Sequence, residues 1–138
     1  MKWGATADRL AIHETIARHG HVADDRDWDR WRDVFTEDLV MDLADFGFGE
    51  IHGLDSLRKL SRDNEHDPGQ PLGHHVTNIV VLEPKADRVR TRSKGFAVNA
   101  DGTTGTVVYE DAFRREPQGW RICHRKVICL PKDRHGRL

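Results

Sequence analysis

The chain has 138 residues, a formal net charge of −1 and a pI near 6.7, and its acidic and basic residues are interspersed. This length fits one domain with its own hydrophobic core, so we expect a single domain over residues 1–138. The sequence has no basic block, which argues against a nucleic-acid partner, and no run approaching the roughly 20 apolar residues of a membrane span.

Two helices are predicted in the first quarter of the chain. Residues 7–23 carry apolar side chains at helical spacing, and Thr6 stands where it can cap the start of the helix. A charged segment at residues 24–27 then breaks the pattern. The second helix is predicted over residues 27–36, with aromatic side chains at i, i+3 and i+7, namely Trp28, Trp31 and Phe35. The spacing favours core packing for these rings, and Trp28 is also a candidate for contact with a bound small molecule.

Two short strands and a third helix are predicted next. Residues 39–46 predict the first strand, and residues 50–53 predict a short return strand after a glycine-containing turn. Leucines at helical spacing indicate a third helix that begins at Leu54 and ends between residues 62 and 65.

The second half of the chain predicts four strands. They cover residues 74–82, 88–98, 104–114 and 120–130, and turns containing Gly or Pro separate them. Three helices followed by long antiparallel strands predict an α+β domain, with the helices on one face of a curved, mostly antiparallel sheet. Such an arrangement forms a cone-shaped α+β barrel, and a cone contains a pocket. The polar tail from Lys132 to Leu138 is expected to be loosely held.

Two histidines at the start of the strand predicted at 74–82 are the first candidates for chemistry. Neighbouring side chains of a strand point to opposite faces, so His74 and His75 cannot serve the same site. We predict that His74 points into the cone together with Val76 and Asn78, and that His75 points outwards. Because histidine titrates near neutral pH, the inward ring is a candidate proton carrier, whereas a strand-end histidine bonded to a loop is the alternative.

Four segments make the sequence resemble the SnoaL-like branch of the nuclear transport factor 2-like superfamily. They are Val22-Ala23-Asp24-Asp25-Arg26-Asp27-Trp28-Asp29, Val34-Phe35-Thr36-Glu37-Asp38, Gly73-His74-His75-Val76-Thr77-Asn78 and Gly119-Trp120-Arg121-Ile122. Within that branch the pattern is most similar to scytalone dehydratase and lindane dehydrochlorinase. The superfamily also holds isomerases, polyketide cyclases and non-catalytic binders, so this fold does not determine one function.

The resemblance implies an Asp-His dyad and a set of residues around it. The dyad falls on Asp24, after the first helix, and on His74, at the start of the strand that follows the third helix. A basic residue of the first helix falls on His19, and an arginine of the last strand falls on Arg125, although one bulge would exchange Arg125 for His124. The second histidine of scytalone dehydratase has no counterpart in residues 90–98, which argues against the same dehydration reaction.

The chemistry that these residues allow is proton abstraction. A carboxylate bonded to one imidazole nitrogen raises the basicity of the other, so Asp24 would orient His74 and His74 would act as base. Tyr109 could donate a hydrogen bond to a substrate oxygen, or could simply pack on the sheet. We therefore expect a lyase, isomerase or cyclase of the dehydratase type that acts on a small, largely apolar carbonyl or hydroxylated compound. The alternative is a non-catalytic binding or assembly subunit of the same fold.

The sequence also leads to expectations about cofactors, partners and location. It has no phosphate-binding loop, and His13-Glu14 lacks the second histidine of a zinc-protease helix, so we expect neither a cofactor nor a metal. Apolar residues on both faces of the strand at 74–82 indicate self-association into a dimer or higher oligomer. No signal-peptide pattern follows Met1, so we expect a cytoplasmic protein, and the resemblance implies secondary metabolism or catabolism.

Overall fold

The computed structural model describes residues 2–130, and the tail from Lys132 to Leu138 therefore lies outside the described residues. In chain order the helices and strands are α1 (Ala5–Asp24), β1 (Phe35–Leu43), β2 (Gly49–His52), α2 (Leu54–Asp63), β3 (Gly73–Leu82), β4 (Arg88–Val98), β5 (Thr104–Glu116) and β6 (Gly119–Leu130). Two 3₁₀ helices, Trp28–Asp33 and Ala44–Phe46, flank β1. Among residues 2–130, no helix is both long enough and apolar enough to cross a membrane.

All six strands form one mixed sheet in the order β2-β1-β6-β5-β4-β3. Only the β1–β6 pair is parallel, and the other neighbours are antiparallel. Helix α1 contacts both β3 and β6, although β4 and β5 lie between them in the sheet. The sheet must therefore curve around the helix, which confirms the predicted α+β architecture with helices on a curved sheet.

The second predicted helix is shorter than expected and is of the 3₁₀ type. It ends at Asp33, and Phe35 already begins β1 rather than completing a helical face. The reason is tertiary: the Ile122 backbone N–H donates to the Val34 carbonyl oxygen at 2.8 Å, which ties this segment to β6.

The predicted cap of the first helix is wrong. Thr6 lies inside α1, and Gly4 is the residue at the N-cap position. The Gly4 backbone N–H donates to a carboxylate oxygen of Asp8 at 2.6 Å, so a side chain from within the first turn satisfies the helix start.

The inner face of the sheet carries the hydrophobic core and also several polar side chains. Alternation along β4 buries Val89, Thr91 and Ser93 and leaves the basic residues between them exposed. Two charged residues, Asp111 of β5 and Arg125 of β6, are buried on the same inner face. Burial of charge is costly unless the groups are paired, so their position marks the part of the interior where a functional site is expected.

A bulge in β3 limits the predicted set of inward side chains. The register with β4 shifts between Thr77 and Val80, and Asn78 adopts a positive φ of 55°. His74 and Val76 are partly buried, as predicted for inward residues, whereas Asn78 is exposed. The prediction for Asn78 is therefore wrong, because strict alternation ends at the bulge.

Candidate active site

Asp24 and His74 are in direct contact. Asp24 is the last residue of α1, and His74 is the second residue of β3. The Nδ1 of the His74 ring lies 2.6 Å from Oδ1 of Asp24, and the His74 backbone N–H donates to both carboxylate oxygens at 3.1 and 3.0 Å. The predicted contact is thus confirmed. Because the carboxylate engages Nδ1–H, Nε2 of a neutral His74 keeps its lone pair and can accept a proton.

The dyad depends on a close approach between α1 and β3. A Cβ placed on Gly20 would lie 2.8 Å from the carbonyl oxygen of His74, which is closer than carbon and oxygen normally approach. Glycine in a helix interior costs roughly 1 kcal/mol relative to alanine. Its presence at residue 20 lets the last turn of α1 pack against the β3 backbone, and Asp24 follows one turn later.

His74 lines a cavity of about 520 Å³ that is open to solvent. This volume lies within the range of roughly 300–1,000 Å³ that small-molecule sites occupy. The polar end of the cavity, as we call it, is formed by His19, His74, Tyr109 and Arg125. The rest of the lining is mainly apolar and includes Trp31, Met41, Leu43, Leu57, Val107 and Val127. The cavity therefore combines an apolar volume with one cluster of groups able to carry or bind protons.

Arg125 is the charged group of the polar end. Its side chain is 1% exposed, and its Nε and Nη2 donate to the two carboxylate oxygens of Asp111 at 2.7 and 2.9 Å. Burial alone would lower the pKa of Arg125, but Asp111 outweighs this effect and raises the pKa. Arg125 therefore stays charged, while its Nη1 is buried without a hydrogen-bond partner.

A bulge in β6 decides between Arg125 and His124. Trp120 and Ile122 are buried, so strict alternation would place His124 inside. The register with β5 shifts at this point, and His124 pairs with Ala112 while Arg125 pairs with the buried Asp111. His124 consequently lies exposed on the outer face, and Arg125 enters the interior.

His19 and Tyr109 are both uncharged at neutral pH. The His19 ring packs edge-on against the rings of His74 and Tyr109, with centroid distances of 6.1 and 6.2 Å. Burial, followed by the positive charge of Arg125, holds the pKa of His19 well below 6.5. Burial also raises the pKa of Tyr109, whose ring lies 4.1 Å from the Arg125 guanidinium carbon. The Tyr109 hydroxyl therefore remains a potential hydrogen-bond donor.

A second, smaller cavity lies between α1 and β3. Its volume is about 20 Å³, and the same four residues, His19, His74, Tyr109 and Arg125, contribute to its lining. A space of roughly 10–15 Å³ suffices for one water molecule when polar partners surround it. Arg125, whose Nη1 is buried without a hydrogen-bond partner, is one of the polar residues that line this cavity.

Two candidate residues lie away from the cavity. Trp28 does not line it, and its indole N–H instead donates to the Ser61 hydroxyl of α2 at 3.2 Å. Trp31, one 3₁₀ turn later, lines the cavity instead. His75 stacks on Phe96 of β4, with ring centroids 4.7 Å apart, as an outward residue can do.

Sequence reasoning missed Asp111, Gly20 and Trp31 as parts of the site. The alternation of β5 does place Asp111 on the same face as Tyr109, which was the available signal. No comparable signal exists for Gly20, since its role arises from contact with a distant strand. Within residues 2–130, no group of three or more His, Cys, Asp or Glu side chains could hold a metal ion.

Comparisons with known proteins agree with this architecture. A family model described as a SnoaL-like domain matches residues 4–126. A candidate aromatic ring hydroxylase from Novosphingobium aromaticivorans is 28% identical (TM-score 0.79, covering 94% of each chain). The Kfla4162 protein from Kribbella flavida is 25% identical (TM-score 0.79, covering 96% of this chain and 97% of that one).

LinA is similar in fold, with 19% identity, a TM-score of 0.74 and coverage of 89% of this chain and 86% of LinA. A comparison with curated protein sequences finds no match.

Proposed function

The chain belongs to the SnoaL-like domain family, and on that premise we propose that it is an enzyme that removes a proton from a small, largely apolar substrate without a cofactor. The reaction would be of the lyase, isomerase or cyclase type, and the substrate a carbonyl or hydroxylated compound. The observation that carries this proposal is the 2.6 Å contact between Asp24 and His74 at the polar end of an apolar cavity.

In the proposed mechanism Asp24 positions the base and His74 reacts. The carboxylate accepts the Nδ1–H of His74 and stabilises the imidazolium that forms when Nε2 takes the proton. The electron pair of the broken C–H bond moves towards the substrate carbonyl, or expels a leaving group from the neighbouring carbon. General-base catalysis of this kind typically supplies about 10²–10⁴-fold in rate.

The other residues of the polar end are proposed to bind the substrate. Tyr109 is a protonated donor, and Arg125 is a permanent positive charge with one unpartnered nitrogen. Both are suited to an oxygen that gains negative charge as the proton leaves. His19, held neutral, can contact the same part of the substrate without repelling Arg125.

Two observations favour an enzyme over a non-catalytic binder of the same fold. A non-catalytic binder would be favoured if the Asp24 and His74 side chains lay apart, or if side chains filled the cavity. The two side chains are instead in contact, and the cavity is open. LinA, described as a hexachlorocyclohexane dehydrochlorinase, is an enzyme of this fold, and elimination of that type is one of the reactions that the proposal includes.

We also propose that the protein self-associates through the outer face of its sheet. Val80 and Leu82 of β3 and Phe96 of β4 are 54%, 39% and 41% exposed, and the register places Val80 and Leu82 on the outer face. A contiguous patch of exposed apolar side chains often marks a protein–protein interface.

Proton exchange tests the proposed function without knowledge of the natural substrate. The protein is incubated in D₂O with apolar cyclic ketones such as 2-tetralone and 2-decalone, and NMR follows the loss of the α-proton signals. We expect exchange above the buffer rate, a loss of at least about 10²-fold in His74→Ala, and near-wild-type exchange in the matched control His75→Ala. Equal rates in wild type and His74→Ala, or no exchange above buffer for any ketone, would contradict the proposal.

A further inference from the structure

Gly95 lies directly beneath the ring of Tyr109. It is an inward position of β4, paired with Val76 of β3 on one side and Val107 of β5 on the other. A Cβ at residue 95 would overlap Cε2 of Tyr109 and would lie 3.0 Å from both Cζ and the hydroxyl oxygen. The ring therefore occupies the space that any other amino acid at residue 95 would fill.

The Tyr109 ring also packs against Arg125. The Arg125 guanidinium carbon lies 4.1 Å from the ring centroid, and Tyr109 is only 7% exposed. Tyr109 is thus in contact with both Gly95 of β4 and the buried Arg125. Glycine inside a strand weakens the strand, and close approach of another group is a common reason for its presence.

We propose that Gly95 is a specificity-determining position, because its missing side chain forms a slot that holds the Tyr109 ring against β4 and out of the cavity. A side chain at residue 95 would push the ring from the slot towards the open space between β3 and β6. The cavity would become shallower, and the Tyr109 ring would lose its contact with the Arg125 guanidinium. Only the consequence for the substrate rests on the proposed function; the position of the ring does not.

The chain offers a direct reporter, because Tyr109 is its single tyrosine. Absorbance at about 295 nm as a function of pH therefore follows the phenol of Tyr109 alone, and burial raises the pKa of this group above 10. In Gly95→Ala we expect the ring to reach solvent in the cavity and its pKa to fall towards the ordinary value. Circular dichroism at each pH restricts the analysis to folded protein.

Gly105→Ala is the matched control. Gly105 is also a strand glycine, and a Cβ there meets no atom within 4 Å. We expect an unchanged Tyr109 pKa in this variant. An unchanged pKa in Gly95→Ala, together with a crystal structure showing the ring in its original place, would overturn the proposal.

A second substitution keeps the test decisive if Gly95→Ala folds poorly. In the Tyr109→Leu background the overlapping ring is gone, so we expect Gly95→Ala to lower the melting temperature much less there than it does in the wild type. An equal loss in both backgrounds would show that the overlap is not the cause, and would overturn the proposal.

Binding of 2-decalone measures the effect on the cavity. Quenching of tryptophan fluorescence reports binding, since Trp31 lines the cavity. We expect the dissociation constant to rise about tenfold in Gly95→Ala, equivalent to about 1.4 kcal/mol. Unchanged affinity in Gly95→Ala would contradict the claim that residue 95 sets the depth of the cavity. Gly95→Ala could change the Tyr109 pKa and the affinity for 2-decalone as expected while the wild-type protein shows no proton exchange. That result would count against the proposed reaction alone.

Discussion

Gly20→Ala is expected to have two opposing effects on the free energy of unfolding, and the approximate size of each can be given. In a free helix the substitution would stabilise by roughly 1 kcal/mol, because alanine is the better helix former. In this structure the new Cβ would lie 2.8 Å from the His74 carbonyl oxygen, whereas carbon and oxygen in close contact are about 3.3–3.6 Å apart. The helix must therefore move away from β3 by about 0.5–0.8 Å. Overpacking of this kind costs about 1–3 kcal/mol, so we expect a net loss of about 0–2 kcal/mol.

We expect Gly20→Ala to disturb the Asp24–His74 contact more than it lowers the free energy of unfolding. Asp24 follows Gly20 by one helical turn, and a displacement of about 0.5 Å is large beside an Nδ1–Oδ1 distance of 2.6 Å. We expect the downfield proton NMR signal of the His74 Nδ1–H to weaken or shift, and proton-exchange activity to fall. Urea denaturation measures the free energy of unfolding in the same samples. His21→Ala is the control, since it replaces an exposed side chain of the same helical turn without a new contact.

One result would refute this reasoning. If Gly20→Ala were about 1 kcal/mol more stable than the wild type and kept the His74 signal unchanged, helix propensity alone would govern the site. The close approach of α1 to β3 would then have no energetic consequence.

Four further predictions follow from the site. Asp24→Asn should exchange protons at a rate between those of His75→Ala and His74→Ala, because the ring keeps a neighbour but loses its negative charge. The pKa of His19 is lower in the folded protein than in the unfolded chain, so the free energy of unfolding should decrease as the pH falls below about 6.5. The decrease should be at most about 1.4 kcal/mol per pH unit. Urea titrations should show a smaller decrease for His19→Gln. Light scattering at micromolar concentration should show a dimer or higher oligomer, and a monomer would contradict the outer-face interface. Activity should survive dialysis against a chelator; loss of activity restored by one metal would overturn the cofactor-free mechanism.

The local elements were determined largely by the sequence itself. The strand predicted at 88–98 matches β4, and the other three strands of the second half differ from their predictions by at most two residues at an end. Alternation separated His74 from His75, and the resemblance placed Asp24 opposite His74, where the structure has it. These predictions succeed because periodicity and turn residues are properties of short segments.

Only the tertiary structure decided which residues complete the site. The bulge in β6 placed Arg125 inside and His124 outside, and the bulge in β3 turned Asn78 outwards. The pairing of the segment after Asp33 with β6 ended the second helix early, and Trp31 rather than Trp28 reached the cavity. The roles of Gly20 and Gly95 likewise depend on atoms far away in the chain. Bulges and close approaches arise from the packing of one segment on another. The packing energy depends on residues far apart in the chain, so the spacing of residues within one segment does not reveal it.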